Sequence, residues 1–553
     1  MTRVRQPGEI IETGSRIRAA YSEGAGIYRI IPAGVAIPSS VAEVQGLVAW
    51  ARETGTPLIA RGAGSGIPGN AVGPGVIVDL RDRMPRVLDV DPASATAVTS
   101  ANVTHAELNR AAHAHGLRLP PDPSSSSWAT LGGMVATNAA GARTVRYGSV
   151  RPWVMGMEIV TGDGELGWLS RRDATAPLLR QGVRSPGLPK AINRFHLRAA
   201  PAIRDQAELI AARFPRVRKN AAGYALDRWL ASGDDLDLLI GAEGTLGLIS
   251  VIRWRLHPLS ASRAGLRVAL GSLDDLEQAV RALVALDPSA VELLDRTFLE
   301  LIALAGHGAE RPTLPEGTEA VLLVEFERDT AEQARAVVGD AVRAVGQIAT
   351  DIVTALTTAQ EQQLWNLRHA ASPILASLPP DRRSLQVIED GCVPLPRLGE
   401  YVEVIRRAAR AQGITVVIFG HAGDGNIHVN ALPELAMTDW PDRVRKLYEE
   451  VNAAAIRLGG TVSGEHGDGR LRAPLLERLY GPEIVALFHG IKTAFDPDGI
   501  FNPGVKLGLE DSLTGLKLGA DAAAIPDDIA EALRQIERSG GYARSRSEIA
   551  GAE

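Results

Sequence analysis

Three histidines and a glutamate in the C-terminal third of the chain have the residue types that hold a divalent metal ion. His421 and His428 lie in one glycine-containing run, and Glu465 and His466 follow an expected short strand at 459–462. Only eleven histidines occur in 553 residues, so this grouping is dense. Two imidazoles and a carboxylate form an open ligand set that suits Zn, Mn or Fe. We therefore predict that His421, His428 and Glu465 bind a divalent metal, with His466 beside it as a base.

A β-hairpin is the element expected to position the first two histidines. Residues 416–419 have the apolar character of a buried strand, and residues 423–425 are Gly-Asp-Gly, which is typical of a tight turn. Polar and apolar residues then alternate over 426–430, as on a strand with one buried face. The hairpin should bring His421, at the end of its first strand, next to His428 on its second.

Composition limits the classes of protein to which the chain can belong. A net charge of −6 and a pI near 6.1 give no basic footprint for nucleic acid. The N-terminus lacks an apolar signal core, and no stretch approaches the roughly 20 apolar residues of a membrane helix, so we expect a cytoplasmic protein that lies at most at the inner face of the membrane. The single cysteine, Cys392, excludes an internal disulfide and a cysteine-ligated iron–sulfur cluster within this chain.

Two segments rich in glycine and small residues in the front half have the composition of a nucleotide cradle. The first, residues 61–70, follows an apolar strand at 57–60 and leads to another strand at 76–80. A Rossmann loop would instead open a helix, so the context argues against a nicotinamide site. Consecutive amides in such a loop are able to wrap a pyrophosphate. The second segment is residues 120–141.

Local signals predict several regular elements. Ser40, followed by Glu43 and by an apolar-periodic run to Gly55, predicts a capped helix. Strand-like runs at 265–270 and 320–326 alternate with helical runs at 273–286 and 331–345. This alternation predicts an antiparallel sheet backed by helices.

The front half resembles the flavin domain of the vanillyl-alcohol oxidase and p-cresol methylhydroxylase (PCMH) superfamily. Five ordered motifs carry the resemblance, at residues 61–70, 120–141, 147–150, 219–224 and 241–249. It implies bound FAD, and because residues 61–70 contain neither His nor Cys we expect the FAD to be noncovalent. The residues that the resemblance assigns to FAD are Arg61, Gly62, Ala63, Gly64, Ser65, Gly66, Asn70, Pro121, Asp122, Thr130, Gly132, Gly133, Ala136, Thr137, Asn138, Gly141, Tyr147, Gly148, Val150, Glu243, Gly244, Ile249 and Asn502.

The back half resembles FAD-linked D-2-hydroxyacid dehydrogenases, a group that includes D-lactate dehydrogenases, the glycolate oxidase flavin subunit and D-2-hydroxyglutarate dehydrogenase. Residues 364–368, 420–430 and 464–469 carry this resemblance, and residues 465–478 and 388–394 are closest to the D-lactate dehydrogenases. It implies electron transfer to a separate acceptor, with an iron–sulfur protein and a quinone among the candidates, and leaves the identity of that acceptor open. It leaves the oligomeric state open.

The resemblance also implies roles for single residues. His421, His428 and Glu465 would hold the metal, Arg368, Asn430 and Arg472 would bind substrate, and His466 would abstract the hydroxyl proton. An arginine is able to grip a carboxylate with two hydrogen bonds, although a surface helix is the commoner place for one. Relatives that act on 2-hydroxyglutarate have a lysine where this chain has Ile388. That difference favours D-lactate or glycolate, with a 2-hydroxyglutarate dehydrogenase as the alternative.

The expected fold class is α+β, with four parts. They are a two-subdomain PCMH-type FAD-binding domain at 1–257, a cap domain with the antiparallel sheet and metal site at 258–480, a helical return to the FAD domain at 481–510, and a tail at 511–553. Ile529, Leu533 and Ile536 give the tail a short amphipathic helix, which packs on the chain itself or docks an electron-accepting partner.

Two readings from other functional classes stay open at this point. A metal hydrolase would use His421, His428 and Glu465 to activate water, and the purified protein would be colourless. A noncatalytic electron-transfer or scaffold subunit would have no need of metal ligands together with a carboxylate-binding arginine.

Overall fold

The computed structural model describes residues 3–172, 187–305, 314–369, 371–379 and 382–551. The described residues of the front half, through residue 258, form eleven strands. They are β1 (Ile11–Glu12), β2 (Gly34–Ala36), β3 (Leu58–Arg61), β4 (Val76–Asp79), β5 (Leu88–Asp91), β6 (Thr96–Ser100), β7 (Leu117–Arg118), β8 (Val154–Val160), β9 (Leu166–Ser170), β10 (Leu248–Arg255) and β11 (His257–Pro258).

These strands form two main sheets. One has the order β1-β2-β4-β3, in which β2, β4 and β3 are parallel and β1 is antiparallel to β2. The other is antiparallel with the order β5-β6-β10-β8-β9, and β7 pairs separately with β11. The first expected cradle segment follows β3, and the second follows β7 and includes a short helix at Leu131–Thr137.

The back half is built on one seven-stranded sheet, and every neighbouring pair in it is antiparallel. The strand order is β15-β12-β14-β13-β17-β18-β16. The strands are β12 (Ser262–Leu270), β13 (Ala290–Asp295), β14 (Ala320–Arg328), β15 (Asp351–Ala355), β16 (Gly391–Cys392), β17 (Thr415–His421) and β18 (Asn426–Leu432).

Helices surround these sheets along the whole chain. They are α1 (Pro7–Ile10), α2 (Ser15–Ala20), α3 (Val41–Thr54), α4 (His105–His113), α5 (Leu131–Thr137), α6 (Thr144–Tyr147), α7 (Lys190–Arg198), α8 (Ala200–Asp205), α9 (Ala207–Arg213), α10 (Leu226–Ser232), α11 (Leu236–Leu239), α12 (Leu276–Val284), α13 (Arg296–Ala305), α14 (Ala331–Val345), α15 (Thr358–His369), α16 (Ala371–Ala376), α17 (Leu398–Gln412), α18 (Trp440–Arg457), α19 (Gly469–Arg472), α20 (Leu476–Tyr480), α21 (Pro482–Phe495), α22 (Asp527–Ser539) and α23 (Arg546–Ala550). Among the described residues, no helix is both long and apolar enough to cross a bilayer.

The two faces of the seven-stranded sheet differ in chemistry. One face packs its apolar side chains, such as Val268 and Leu322, against α12, α14 and α17. The other face is apolar only at one end, where Leu294 and Val417 pack with α13, α15 and α16. Because side chains on a strand alternate, the same face continues along β13 to Glu292 and along β17 to His421. This face therefore has a polar end, and that end carries the expected metal ligands.

The expected fold class is confirmed, and most local predictions agree with the structure. The Ser40 hydroxyl caps α3 by accepting from the Glu43 amide at 3.2 Å, and the helix ends at Gly55 with φ +68°. Helix α14 spans residues 331–345 as expected. Residues 459–462, however, form a turn and a single bridge from Thr461 to Cys392 instead of a strand, because the turn at Gly459 leaves too few residues for a ladder.

The last part of the chain returns to the front half. Ile500 and Phe501 are buried with Leu58 in one cluster, and the Leu58 amide donates to the Ile500 carbonyl at 2.8 Å. Beyond them, Ile529 and Leu533 of α22 pack against residues of α2, β2, β3 and β4. The apolar face of the tail helix is thus covered by the chain itself and is not available to a partner.

We expect Leu533→Ala to destabilise the docking of this tail by about 2–5 kcal/mol, because the substitution opens a cavity in a closed apolar cluster. Leu533 is buried in the same cluster as Tyr21 and Ile77. Hydrogen exchange of the α22 amides measures the loss as faster exchange. Gln535→Ala, on the exposed side of the same helix, is the control. Equal exchange in the two variants would contradict the prediction.

Candidate active site

A single cleft joins the expected cradle to the histidine cluster. It holds about 1870 Å³ of space, part of which is open to solvent. Residues 60–67 and most residues of 129–141 line one part of it, and residues from the polar end of the seven-stranded sheet line another. A dinucleotide in the cradle would therefore reach toward the histidines within one continuous space.

The glycines of the first cradle segment are required by packing within the protein. A Cβ on Gly62 would lie 2.2 Å from Thr130 Oγ1, one on Gly64 would lie 2.4 Å from the Arg61 guanidinium, and one on Gly66 would lie 2.3 Å from Asn70 Oδ1. The loop thus folds tightly on its own surroundings. The Arg61 guanidinium donates to the carbonyls of residues 21, 23 and 71, so it braces the loop rather than presenting its charge to the cleft.

The structure places most residues assigned to FAD at the cleft. Those that line it are Arg61, Gly62, Ala63, Gly64, Ser65, Gly66, Asn70, Thr130, Gly132, Gly133, Ala136, Thr137, Gly141, Glu243, Gly244 and Ile249. Seven others do not line it: Pro121, Asp122, Asn138, Tyr147, Gly148, Val150 and Asn502.

Local contacts explain the positions of these other residues. The Asp122 carboxylate pairs with Arg143, and Pro123, Ser124 and Ser125 line the cleft after it. Val150 is part of the apolar core. Asn502 lies behind the cradle and donates to the carbonyls of Asn70 at 2.8 Å and Glu243 at 2.9 Å.

The three expected metal ligands converge. One ligand atom from each of His421, His428 and Glu465 lies within 4.8 Å of the other two. Glu465 Oε1 is 2.9 Å from His421 Nε2 and 3.3 Å from His428 Nε2. The turn that brings the two histidines together ends at Gly425 with φ +74°, where a Cβ would lie 2.1 Å from the Val393 carbonyl. Only glycine fits that turn.

Lys219 and Glu292 extend this cluster, although no sequence pattern singled out either of them for a role. Lys219 Nζ lies 2.7 Å from Glu465 Oε2, so one oxygen of that carboxylate is paired and the other faces the histidines. Glu292 accepts from His421 Nδ1 at 2.6 Å and from Arg368 Nε at 2.7 Å. Lys219 lies in the 219–224 motif, but its partner Glu465 is distant in sequence, so no local pattern indicated the ion pair. Glu292 is a single glutamate within an apolar strand, and nothing around it in sequence indicated a role at the site.

Burial and neighbouring charges set the protonation of these groups. Burial alone would raise the pKa of Glu465, but Lys219 and His421 hold it well below its usual range. Burial lowers the pKa of His428, which favours its neutral form. Burial would also lower the pKa of His421, but Glu292 raises it above its ordinary value. Glu465 and His428 are thus in the forms that bind a metal cation.

The donor set fits a divalent transition metal. Two imidazole nitrogens and one carboxylate oxygen come from three separate elements. Glu292 accepts a hydrogen bond from His421 Nδ1, the ring nitrogen that faces away from Glu465. Carboxylates commonly bind metal-ligating histidines in this way. Glu389, Asp390, His428 and His466 form a second group of this kind. There, one Glu389 oxygen is paired with Arg472 and the other with His466 Nδ1, whereas Glu465 keeps one oxygen toward His421 and His428, so the first group is the better candidate.

His466 lies at the cleft next to these ligands. Its Nδ1 is hydrogen bonded to the Glu389 carboxylate, and its amide donates to Asp390 Oδ2 at 2.9 Å. Burial would lower the pKa of His466, but Glu389 and Asp390 raise it to about 9. The free-histidine value near 6.5 is therefore shifted upward by the protein groups, while a nearby dication would shift it back down.

The expected substrate residues lie in two places. Arg368 and Asn430 line the cleft, with the Arg368 guanidinium 5.0 Å from the centre of the Phe419 ring. Ser384 donates to Asn430 Oδ1 at 2.8 Å, which leaves the amide nitrogen for another partner. Arg472 does not line the cleft, because it is only 1% exposed and its guanidinium is bound to Glu389 and the Gly467 carbonyl.

Comparison with known proteins gives this arrangement a class. Residues 32–170 match the family model described as an FAD binding domain, and residues 261–505 match the model described as the C-terminal domain of FAD linked oxidases. The chain belongs to the FAD-linked oxidases. It is therefore an FAD-dependent oxidoreductase, which confirms FAD as a cofactor and shows that the hydrolase and scaffold alternatives are wrong.

Several relatives resemble the chain along most of its length. It is 29% identical to the glycolate oxidase subunit GlcD of Bacillus subtilis, over 86% of this chain and 89% of that protein. It is 30% identical to the D-lactate dehydrogenase of Archaeoglobus fulgidus, over 84% and 89%. It is also 30% identical to the D-2-hydroxyglutarate dehydrogenase of Xanthomonas citri pv. viticola, over 88% and 92%. The chain is an oxidoreductase of the same type as these three proteins.

Solved structures share the fold. The 4-ethylphenol oxidase of Gulosibacter chungangensis superposes with a TM-score of 0.63 at 17% identity, covering 91% of this chain and 94% of that one. A p-cresol methylhydroxylase with bound substrate superposes with a TM-score of 0.62 at 16% identity, over the same shares of both chains. At these identities the likeness shows the fold alone, and it confirms the expected PCMH-type architecture.

Proposed function

We propose that the protein oxidises a D-2-hydroxy monocarboxylic acid, such as D-lactate or glycolate, to the 2-oxo acid in a metal-dependent reaction. The observation that carries this proposal is the cleft that runs from the FAD cradle to the cluster of His421, His428 and Glu465. The names of the relatives support the substrate class and the D configuration.

The charges along the cleft favour one carboxylate over two. Among the described residues that line it, the arginine and lysine side chains are Arg61 and Arg368, and Arg61 is bound to backbone carbonyls. Arg368 is left as the one arginine for a substrate carboxylate. Ile388, at the position where 2-hydroxyglutarate relatives have a lysine, is buried in the apolar core. A second substrate carboxylate would find no further arginine or lysine among these residues.

Each residue then has a task. Arg368 binds the carboxylate through its terminal nitrogens, since its Nε is bound to Glu292. The Asn430 amide nitrogen donates to the substrate. His466, whose Nδ1 is held by Glu389, accepts the hydroxyl proton at Nε2. The cradle would hold FAD as the acceptor of the electron pair from the substrate C–H bond, and His421, His428 and Glu465 would hold a metal ion that polarises the hydroxyl group.

Anaerobic titration of the purified yellow protein tests the proposal. We expect D-lactate or glycolate to bleach the flavin absorbance, L-lactate to leave it unchanged, and D-2-hydroxyglutarate to act more weakly. A chelator should abolish the bleaching and added metal should restore it. Bleaching by D-2-hydroxyglutarate alone would overturn the choice of a monocarboxylate.

The metal ligands give a second test. His421→Ala and Glu465→Ala should lose bound metal in elemental analysis and keep the yellow colour, because neither residue belongs to the first cradle segment. Full metal occupancy in both variants would show that the ligand assignment is wrong. Loss of FAD together with metal would show that these residues support the fold of the cleft instead.

A further inference from the structure

Glu292 makes two contacts that connect separate parts of the proposed site. Its side chain is 0% exposed, and each carboxylate oxygen has a partner: Oε1 accepts from His421 Nδ1 at 2.6 Å and Oε2 accepts from Arg368 Nε at 2.7 Å. We propose that Glu292 is a positioning residue that couples metal binding to substrate binding. This inference rests on the proposed function.

The contact with His421 orients a metal ligand. A hydrogen bond from Nδ1 to a carboxylate turns the imidazole so that Nε2 points away from it, toward Glu465 at 2.9 Å. The same bond fixes the tautomer and makes Nε2 a better electron donor to a metal ion. Without Glu292, the His421 ring would be free to rotate, and its Nε2 would no longer be held toward Glu465.

The contact with Arg368 orients the substrate cation. Arginine has a long and mobile side chain, and a fixed guanidinium binds a carboxylate better than a mobile one. Glu292 holds Nε, while the Phe419 ring lies 5.0 Å from the guanidinium carbon. These two contacts leave the terminal nitrogens directed to the cleft that Arg368 lines.

The strand that carries Glu292 is held by hydrogen bonds to both of its neighbours. Strand β13 is paired on both edges, with Glu292 opposite Leu323 of β14 and Leu293 opposite Gly420 of β17. Gly420 directly precedes His421, so Glu292 and His421 are fixed in register by backbone hydrogen bonds. If Arg368 moves, the Glu292 carboxylate that binds it moves as well. The hydrogen bond from His421 to the same carboxylate then changes, and so does the orientation of the His421 ring.

The test compares Glu292→Gln with the wild-type protein, both loaded with FAD. Metal affinity is measured by elemental analysis after equilibration against graded EDTA, and we expect the variant to bind metal roughly 10–100-fold more weakly. At saturating metal we expect a KM for D-lactate about tenfold higher, because Arg368 loses its fixed position. Glu292→Asp should restore part of both. A wild-type affinity in Glu292→Gln, or a change in only one of the two quantities, would overturn the coupling.

Arg368→Met provides an independent variant if Glu292→Gln fails to fold. Arg368 touches no proposed metal ligand, yet coupling through Glu292 predicts a severalfold loss of metal affinity in this variant. Unchanged affinity would overturn the inference. Glu43→Gln is the control, because Glu43 is also a buried glutamate bound to an arginine, Arg5, but lies in α3 away from the cleft. It should leave metal affinity and KM unchanged.

These outcomes separate the inference from the proposed function. A wild-type protein that binds no metal, or whose flavin no 2-hydroxy acid reduces, would overturn both. A wild-type protein that binds metal and is reduced by D-lactate, with an unaffected Glu292→Gln variant, would overturn the role of Glu292 alone.

Discussion

His466→Ala is expected to lower the turnover number with D-lactate by roughly 10²–10⁴-fold while FAD stays bound, as expected for the loss of a general base. The imidazole lines the cleft, and its Nδ1 is bound to Glu389, so Nε2 is the nitrogen that is able to take the substrate proton. The rate of anaerobic flavin bleaching measures the loss directly, because it isolates the step in which substrate is oxidised.

A control variant and a second test variant show whether the loss is specific to proton abstraction. His489→Ala, at an exposed position of α21, should leave the bleaching rate unchanged. Glu389→Gln should lower the rate as well, since the carboxylate that orients His466 loses its charge. A turnover number for His466→Ala equal to that of the wild type would remove His466 from the mechanism.

Lys219→Met is expected to destabilise the metal-depleted protein by about 3–5 kcal/mol, because it leaves the buried carboxylate of Glu465 without its cation. Lys219 is 3% exposed, and its ammonium lies 2.7 Å from Glu465 and 3.4 Å from Asp424. Unfolding in urea after chelator treatment measures the change. A divalent metal should reduce the difference from wild type, since a metal on Glu465 supplies the missing positive charge.

The double variant Lys219→Met, Glu465→Gln is the matched control. Removing both charges should recover most of the lost stability, because the cost arises from one unpaired buried charge. If the double variant is as unstable as Lys219→Met alone, then packing around residue 219 explains the loss and the ion pair does not.

Local patterns predicted those parts of the fold that depend on neighbours in sequence. The Ser40 cap, the Gly55 stop and the hairpin of β17 and β18 all follow from contacts between residues a few positions apart. Even there the prediction had a limit. The Glu43 carboxylate binds Arg5 and Ser39, which a capping-box pattern does not anticipate.

Among the expected site residues, too, contacts that are local in sequence were predicted and long-range contacts were not. His421 and His428 lie on one hairpin, so the alternation of polar and apolar residues and the glycine-containing turn predicted that they lie close together. Arg472 was assigned to substrate by resemblance, and the structure instead places it behind Glu389. A motif identifies a residue type at a position, but it does not state which of two nearby groups the side chain binds.

By itself, the amino-acid sequence determined the glycine-rich segments of the front half and a group of histidine and carboxylate side chains of the types that hold a metal, because both depend on residue types and motifs along the chain. Only the tertiary structure decided what surrounds that cluster. Lys219 and Glu292 contact Glu465 and His421 across large separations in sequence. The order of strands in the seven-stranded sheet places Glu292 beside His421, and the packing of two distant loops places Lys219 beside Glu465. Both depend on burial over the whole chain rather than on any local pattern.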